Sequence, residues 1–182
     1  LLKKIEIGIV KKQDILENLA KLAYLAIGSN LGNKSNNIER TKFELKKYKI
    51  KILKSSSNYL SESWPNKSNP KYINIIIKIK TNLAPLELLK ICNLIESKLG
   101  RVRSKKNAPR TCDIDIIDYD KKIINEKNNK LILPHPRMNE RNFVLLPLFD
   151  VDKSWKHPIS NISIVNLINS LPVKDLSSIK QI

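Results

Sequence analysis

Asp113 and Asp115 lie two positions apart in the run Pro109-Arg110-Thr111-Cys112-Asp113-Ile114-Asp115-Ile116-Ile117. Cys112, Ile114 and Ile116 alternate with Thr111, Asp113 and Asp115, so the run reads as a strand with one apolar face. Carboxylates at i and i+2 stand roughly 7 Å apart on the other face. Unpaired anions this close to a buried surface repel each other and resist desolvation. One divalent cation, or a pair, relieves both costs, and all-oxygen ligands favour Mg²⁺ shared with substrate phosphates. Arg110, at the strand's entrance, has the geometry for a phosphate. An exposed strand face with two acids is the plain alternative, and this short run alone leaves both readings open.

The neighbourhood is cationic. Between 101 and 115 the chain carries Arg101, Arg103, Arg110, Lys105 and Lys106 beside the two aspartates. Cations next to a metal site are what a polyphosphate needs. His135 sits between Pro134 and Pro136, near Arg137 and Arg141. Its place fits either a structural role or a phosphate contact. Tyr72 and Asn74 share a strand face and offer a ring surface and an amide, a pair suited to a flat heterocycle or to a polar outer face. The stretch 58–69 reads as an irregular loop carrying Trp64-Pro65, either a binding loop or a Trp laid over the core edge. The run Gly28-Ser29-Asn30-Leu31-Gly32-Asn33-Lys34-Ser35 follows a strand but lacks P-loop spacing: three residues part its glycines, and Asn33 precedes the lysine.

The elements that must position these groups follow from periodicity. Residues 24–27 form a short buried strand. Asn36 and Glu39 suggest a capping box for a helix with Ile38, Thr41, Leu45 and Tyr48 inward. A second strand spans 50–57. Residues 72–81 give the clearest strand: Ile73, Ile75, Ile77 and Ile79 line one face, and Tyr72, Asn74 and Ile76 the other. Residues 84–99 predict an amphipathic helix, with Pro85 in its first turn and Gly100 as its stop. Its buried stripe is Leu88, Cys92, Ile95 and Leu99, and Asn93 and Glu96 share another face. Asp120-Lys121 is turn-like, so Ile123-Ile124 is expected to pair back as a hairpin. Residues 131–133 make a short strand ended by Pro134. Residues 142–148 are apolar and precede a C-terminal tail, in which Ile164, Leu167, Ile168 and Leu171 suggest a last short helix.

With 182 residues, the chain fits one domain with its own core, at 23–182, preceded by a lysine-rich extension at 1–22 with helical spacing at Ile15, Leu19 and Leu22. Its hydrophobic content of 41% suits a soluble globular protein, and no run approaches the ~18 apolar residues of a membrane span. Lys3, Lys4, Glu6, Lys11 and Lys12 interrupt any secretory h-region. Cys92 and Cys112 fall on apolar faces without metal-ligand spacing, as reduced core thiols of a cytoplasmic protein do, though two thiols leave a disulfide open. The net charge of +17 invites a nucleic-acid partner. The lysines are spread along the chain, however, and the aromatics, 5% of residues, do not interleave with them as stacking platforms. No specific nucleic acid is expected; the charge attracts a polyanionic small molecule. A basic RNA-binding module is the competing reading, marked by Mg²⁺-independent, steeply salt-dependent binding.

Taken together, the motifs resemble the hydroxymethyl-dihydropterin pyrophosphokinase family from 23 to about 151. The likeness rests on Ala23-Tyr24-Leu25-Ala26-Ile27-Gly28-Ser29-Asn30-Leu31-Gly32, on Pro70-Lys71-Tyr72-Ile73-Asn74, and on Gly100-Arg101-Val102-Arg103. It continues in Pro109-Arg110-Thr111 with Asp113 and Asp115, and in Pro134-His135-Pro136-Arg137-Met138 with Glu140-Arg141 and Phe143. The resemblance implies an α+β fold with a ferredoxin-like core, an antiparallel sheet sandwiched by helices in three αβα layers. It implies transfer of the β,γ-diphosphate of ATP to 6-hydroxymethyl-7,8-dihydropterin, with ATP as co-substrate and two Mg²⁺ ions on Asp113 and Asp115. Asp113, Asp115, Arg101 and Arg110 are then the catalytic set. The pterin lies between Tyr72 and Phe143, its edge on Asn74, with Ser61, Glu62 and Trp64 closing over it. Asn93, Glu96, Arg101, Arg103, Arg110, Lys130, Leu131, His135 and Arg141 correspond to ATP-contacting positions. Both partners are small molecules, no membrane is involved, and a monomer is one expected state.

Loops around 58–69 and 104–108 are expected to close when both substrates are bound. The chain departs from the family at several points. The loop between Arg103 and Pro109 is shorter than in some members and has Lys105, Lys106 and Asn107 in place of an Arg-Trp pair. Ser68-Asn69-Pro70 stands for a frequent Asp-Gln-Pro, and Asn139 for a second His. Residues 1–22 have no counterpart and are expected to be a remnant of a fused folate-pathway domain.

Overall fold

The computed structural model describes residues 20–63, 66–102, 107–126 and 131–182. The helical spacing at Ile15 and Leu19 lies outside them. The described elements are strands β1 (Lys21–Ser29), β2 (Lys51–Ser55), β3 (Tyr59–Ser61), β4 (Tyr72–Thr81), β5 (Asp113–Tyr119), β6 (Ile124–Glu126), β7 (Leu131–Leu133) and β8 (Ile179–Gln181). The helices are α1 (Lys34–Lys47), α2 (Pro85–Lys98), α3 (Asn142–Val151), α4 (Ile164–Asn169) and α5 (Val173–Ser177), with a 3₁₀ turn at Met138–Glu140.

Strand β4 carries β-branched Ile73, Ile75, Ile77, Ile79 and Thr81 on one face and Ile76 on the other, which suits a pleated strand covered on both sides at its centre. Ile73, Ile75, Ile77 and Ile79 join Ala23, Leu25 and Ile27 of β1 in one core, closed by Ile38 and Leu45 of α1 and Leu88, Cys92 and Ile95 of α2. On the opposite face Ile76, Tyr24 and Ile117 meet Val144, Leu145, Leu148 and Val151 of α3 and Ile164 and Leu167 of α4. Each such isoleucine, fully buried, stabilises the fold by about 1.5–3 kcal/mol. The result is the expected αβα sandwich.

The sheet is antiparallel in the order β5-β1-β4-β3-β8, and β2 shares the β4 edge with β3. The path β1-α1-β2-β4-α2-β5 is the split βαβ arrangement of a ferredoxin-like core.

Local chemistry sets the helix ends. Gly32, at φ +66, turns the chain so that Asn33 caps α1, its side chain accepting from the Asn36 amide at 3.0 Å. The cap therefore sits three residues before the Asn36–Glu39 box that the sequence suggests. Helix α2 begins at Pro85, as its spacing predicts, with Glu87 accepting from the Ala84 amide at 2.8 Å, and stops at Gly100, at φ +83.

Four further expectations are corrected. Strand β6 pairs with β7, Ile124 opposite Leu133, in a separate two-stranded sheet rather than back onto β5. The tight turn exists, with Lys122 N donating to the Tyr119 carbonyl at 2.9 Å. The free edge of β5, however, is taken at the Ile117 carbonyl by the His135 amide, also at 2.9 Å. The stretch 58–69 is not wholly irregular, because it contains β3. The last residues are not a tail: α5 and β8 return to the sheet, and β8 covers β3. Strand β1 also takes in Lys21 and Leu22 from the expected lead-in.

Candidate active site

The strand register decides what meets at the site. Gly28 of β1 pairs with Asn74 of β4 on one side and Asp113 of β5 on the other. Ala26 likewise pairs with Ile76 and Asp115. Asn74, Gly28 and Asp113 therefore form a row across three strands, spanning about 10 Å at the usual strand spacing. The two small residues of β1 leave a floor between the amide and the carboxylates. A Cβ at Gly28 would lie 3.0 Å from Asn74 Oδ1 and 3.4 Å from Tyr72 Cδ1, so only glycine leaves both side chains where they are.

Above this floor opens a cavity of about 860 Å³, within the range of small-molecule sites. Gly28, Ser61, Glu62, Tyr72 and Asn74 line one end of it. Arg101, Arg110, Asp113, Asp115, His135 and Arg141 line the other, and Asn142 and Phe143 of α3 form a wall. The sequence-derived heterocycle and phosphate groups thus share one space.

Asp113 is held by two arginines. Its Oδ1 accepts from Arg101 Nη1 at 2.5 Å and its Oδ2 from Arg110 Nη2 at 2.7 Å. Behind them Glu96, buried on α2, accepts from Arg101 and from the Ile114 amide at 2.8 Å, tying the helix to the start of β5. Burial weakens the hold of Arg101 on its proton, but Asp113 and Glu96 outweigh it, and the net shift is upward. Asp115 is looser. Its Oδ2 lies 3.4 Å from Arg141 Nη1 and 3.8 Å from His135 Nε2, and its side chain is 40% exposed. Burial lowers the His135 pKa against the pull of Asp115, which favours neutral imidazole.

The two aromatic residues are each faced by an arginine. The Arg110 guanidinium lies 5.4 Å from the Tyr72 ring centre and that of Arg141 5.5 Å from Phe143. Asn74 donates through Nδ2 to Ser61 Oγ at 2.8 Å, and Glu62 pairs with Lys71 at 2.7 Å.

Mg²⁺ fits the donor set. Asp113 and Asp115 offer hard oxygen ligands from one strand face. Among the described residues no group of three or more His, Cys, Asp and Glu side chains could cage an ion alone. Mg²⁺ commonly takes one or two carboxylates and completes its shell with water and substrate phosphate. Among the described residues Arg110 Nε, Thr111 Oγ1 and Asn139 Oδ1 are buried without a hydrogen-bond partner, and of these three residues Arg110 lines the cavity, where its spare donor suits an anionic ligand.

Asn93 is exposed on α2 and Leu131 is buried in β7; neither is among the residues described as lining the cavity. Trp64, Arg103 and Lys130 lie outside the described residues, as does most of the 104–108 loop. One supporting residue escaped the sequence reading. Asn30, buried, donates to Ser63 Oγ and the Pro70 carbonyl at 3.3 and 3.1 Å, and accepts from the Arg110 amide at 2.7 Å. It locks β1, the loop before β4 and the arginine's backbone together. Its place between the glycines of the 28–32 run was the only local signal.

Comparison with known proteins gives one consistent answer. The family model described as 7,8-dihydro-6-hydroxymethylpterin-pyrophosphokinase (HPPK) matches residues 24–153. The folic acid synthesis protein fol1 of Pneumocystis carinii is 37% identical over 170 residues, covering 93% of this chain and 22% of its own. The 2-amino-4-hydroxy-6-hydroxymethyldihydropteridine pyrophosphokinase of Bacillus subtilis is 37% identical over 131 residues, 71% of this chain and 77% of that one. The Haemophilus influenzae protein of the same name is 36% identical over 141 residues, 77% and 87% of the two chains. A crystal structure of Plasmodium falciparum HPPK-DHPS with pterin and p-hydroxybenzoate shares the fold at TM-score 0.68 and 16% identity, over 90% of this chain and 48% of that one. This chain spans about a fifth of the length of the fol1 relatives.

Proposed function

The chain belongs to the 7,8-dihydro-6-hydroxymethylpterin-pyrophosphokinase family, and on that premise we propose that it transfers the β,γ-diphosphate of ATP to 6-hydroxymethyl-7,8-dihydropterin, giving AMP and the pterin diphosphate. The observation that carries this reading is the row Asn74–Gly28–Asp113. It sets a shelf for a flat ring within about 10 Å of paired carboxylates ringed by arginines.

In this reading the pterin stacks between Tyr72 and Phe143, with the Asn74 amide on its edge. The hydroxymethyl oxygen gives up its proton to solvent and forms its bond to the β-phosphorus as the bond from that phosphorus to the α,β-bridging oxygen breaks, and AMP leaves with that oxygen. Asp113 and Asp115 would hold Mg²⁺, which would neutralise charge on the phosphate oxygens. Arg101 and Arg110 meanwhile exchange Asp113 for equatorial oxygens of the transferring group, where fixed cations stabilise developing charge. His135, with Arg141, contacts the triphosphate. Cys92 and Cys112, buried free thiols, support a cytoplasmic setting.

The experiment is AMP release from ATP and Mg²⁺, with and without 6-hydroxymethyl-7,8-dihydropterin. AMP that depends on pterin supports the proposal. ADP in its place would mean monophosphoryl transfer, and no nucleotide turnover by the folded, Mg²⁺-loaded chain would sink it.

A further inference from the structure

The segment after α4 lies beyond the residues matched by the family model, yet it reaches the cavity: Lys174, Asp175 and Ser178 line it. Two anchors hold it. On one side Asn142, buried and adjacent to Phe143, donates through Nδ2 to the Asp175 carbonyl and, at 3.1 Å, to Ser178 Oγ. Ser178 Oγ donates in turn to the Asp175 carbonyl at 2.8 Å, and Leu176 packs on the α3–α4 core. On the other side β8 lies along β3, with Leu60 opposite Lys180 and Ser61 opposite Ile179. Ile182 N donates to the Asn58 carbonyl at 2.9 Å. The alternation of antiparallel hydrogen bonds then puts Lys180 N on the Leu60 carbonyl and Leu60 N on that of Lys180.

The two anchors belong to different elements, β3 and α3, that both line the cavity. Strand β3 supplies Ser61, whose hydroxyl accepts from Asn74, and α3 supplies Phe143. Strand β3 has three residues, too few to hold its position from one neighbour alone. We propose that residues 173–182 act as a clasp that fixes the Ser61 wall against the Phe143 wall, and that Asn142 is its positioning residue. The clasp sets the width of the slot for the pterin ring and leaves the nucleotide end alone. This rests on the functional reading above, because it assumes that the slot takes a pterin. A misplacement near 1 Å is enough to weaken such a site substantially.

The test compares the full-length chain with Asn142→Leu, which keeps size and neutrality but removes the donor, and Lys180→Pro, which removes a β8 amide without touching the cavity. Steady-state AMP formation gives separate KM values for pterin and ATP, and amide exchange at Leu60 reports on the β3–β8 pairing. Both variants should raise the pterin KM about tenfold and leave the ATP KM within about twofold. In Lys180→Pro, Leu60 should also exchange at least about tenfold faster. Faster exchange with an unchanged pterin KM would overturn the clasp. A parallel rise of both KM values would overturn it too, by making the segment a general support of the fold. Wild-type protein that forms no pterin-dependent AMP would overturn the functional reading and the clasp together. Wild-type activity with both variants unchanged in KM overturns the clasp alone.

Discussion

The guanidinium carbon of Arg110 lies 5.4 Å from the centre of the Tyr72 ring while its Nη2 donates to Asp113 Oδ2. One side chain thus bridges the ring shelf and the carboxylate pair. Lysine keeps the charge but not the planar fork that serves both. Arg110→Lys should lower kcat about 100-fold, the scale of losing one preorganised donor. It should raise the pterin KM only a few-fold, since a cation–π contact contributes about 0.5–2 kcal/mol. Steady-state kinetics with both substrates varied separates the two effects; an unchanged kcat would remove Arg110 from the phosphate-contacting set.

Asp113→Asn and Asp115→Asn should each cut turnover by more than about 100-fold and shift the Mg²⁺ requirement upward. Mg²⁺ titration of AMP formation is the readout. Wild-type Mg²⁺ dependence in both variants would refute the metal assignment. Circular dichroism should show both folded, since Arg101 keeps Glu96 as a partner.

Tyr72→Ala removes a stacking face worth about 1–3 kcal/mol for a base-like ring. Gly28→Ala acts from below by pressing Asn74 Oδ1, 3.0 Å from the new methyl. Both should weaken pterin binding by roughly tenfold or more while nucleotide binding changes little. Equilibrium titration with pterin fluorescence checks this, and equal losses for both ligands would place the two residues outside the pterin slot.

Much of this arrangement is legible in the sequence where the signal is long or chemically pointed. The alternating Ile73, Ile75, Ile77 and Ile79 mark β4, and Pro85 and Gly100 bracket α2. The i, i+2 aspartates pointed to one strand face, and the register then aligned them with Asn74, which no local pattern could show. Strands β3 and β8 escaped because Tyr59-Leu60-Ser61 and Ile179-Lys180-Gln181 lack the continuous apolar run that marks Leu131-Ile132-Leu133; their ladder, not their composition, makes them strands. The partner of β6 is not legible in the sequence for a similar reason. A turn fixes where a chain reverses, but not which edge is already occupied, here by His135. The Asn33 cap depended on the turn at Gly32, and nearby Asn36 and Glu39 offered an equally plausible motif.

Asp152 makes a pH-dependent contribution away from the site. Its Oδ2 accepts from Tyr24 OH at 2.6 Å and Lys78 Nζ at 2.8 Å, and its Oδ1 from Ser154. Burial alone would raise the carboxyl pKa, but these donors pull it well below its ordinary 3.8. The stabilisation is therefore complete above pH 3.8 and is lost as pH falls toward the lower folded value. Asp152→Asn should cost about 1–3 kcal/mol near neutrality. The gap between variant and wild type should narrow below pH 3.8 in urea denaturation; a gap that stays constant down to pH 2 would contradict the linkage.

Both thiols should resist iodoacetamide in the native protein. Burial pushes Cys112 up to about 12 and raises Cys92 as well, so neither presents a thiolate at neutral pH. Mass spectrometry should find both alkylated only after denaturation. Rapid labelling of the native chain would mean that the core opens at α2 or β5.

Strand β4 is clad on both faces by separate cores, and its backbone is hydrogen-bonded along both edges. Amides along its centre can exchange with solvent only when the whole domain opens. Tyr72 and Asn74 stand at one end of this strand, so the ring shelf borrows its stiffness from the most protected part of the molecule. A ligand settling there meets a surface with little conformational freedom left to lose. The entropic cost of binding then falls on the ligand and on the arginines, which must give up one carboxylate to reach their phosphates.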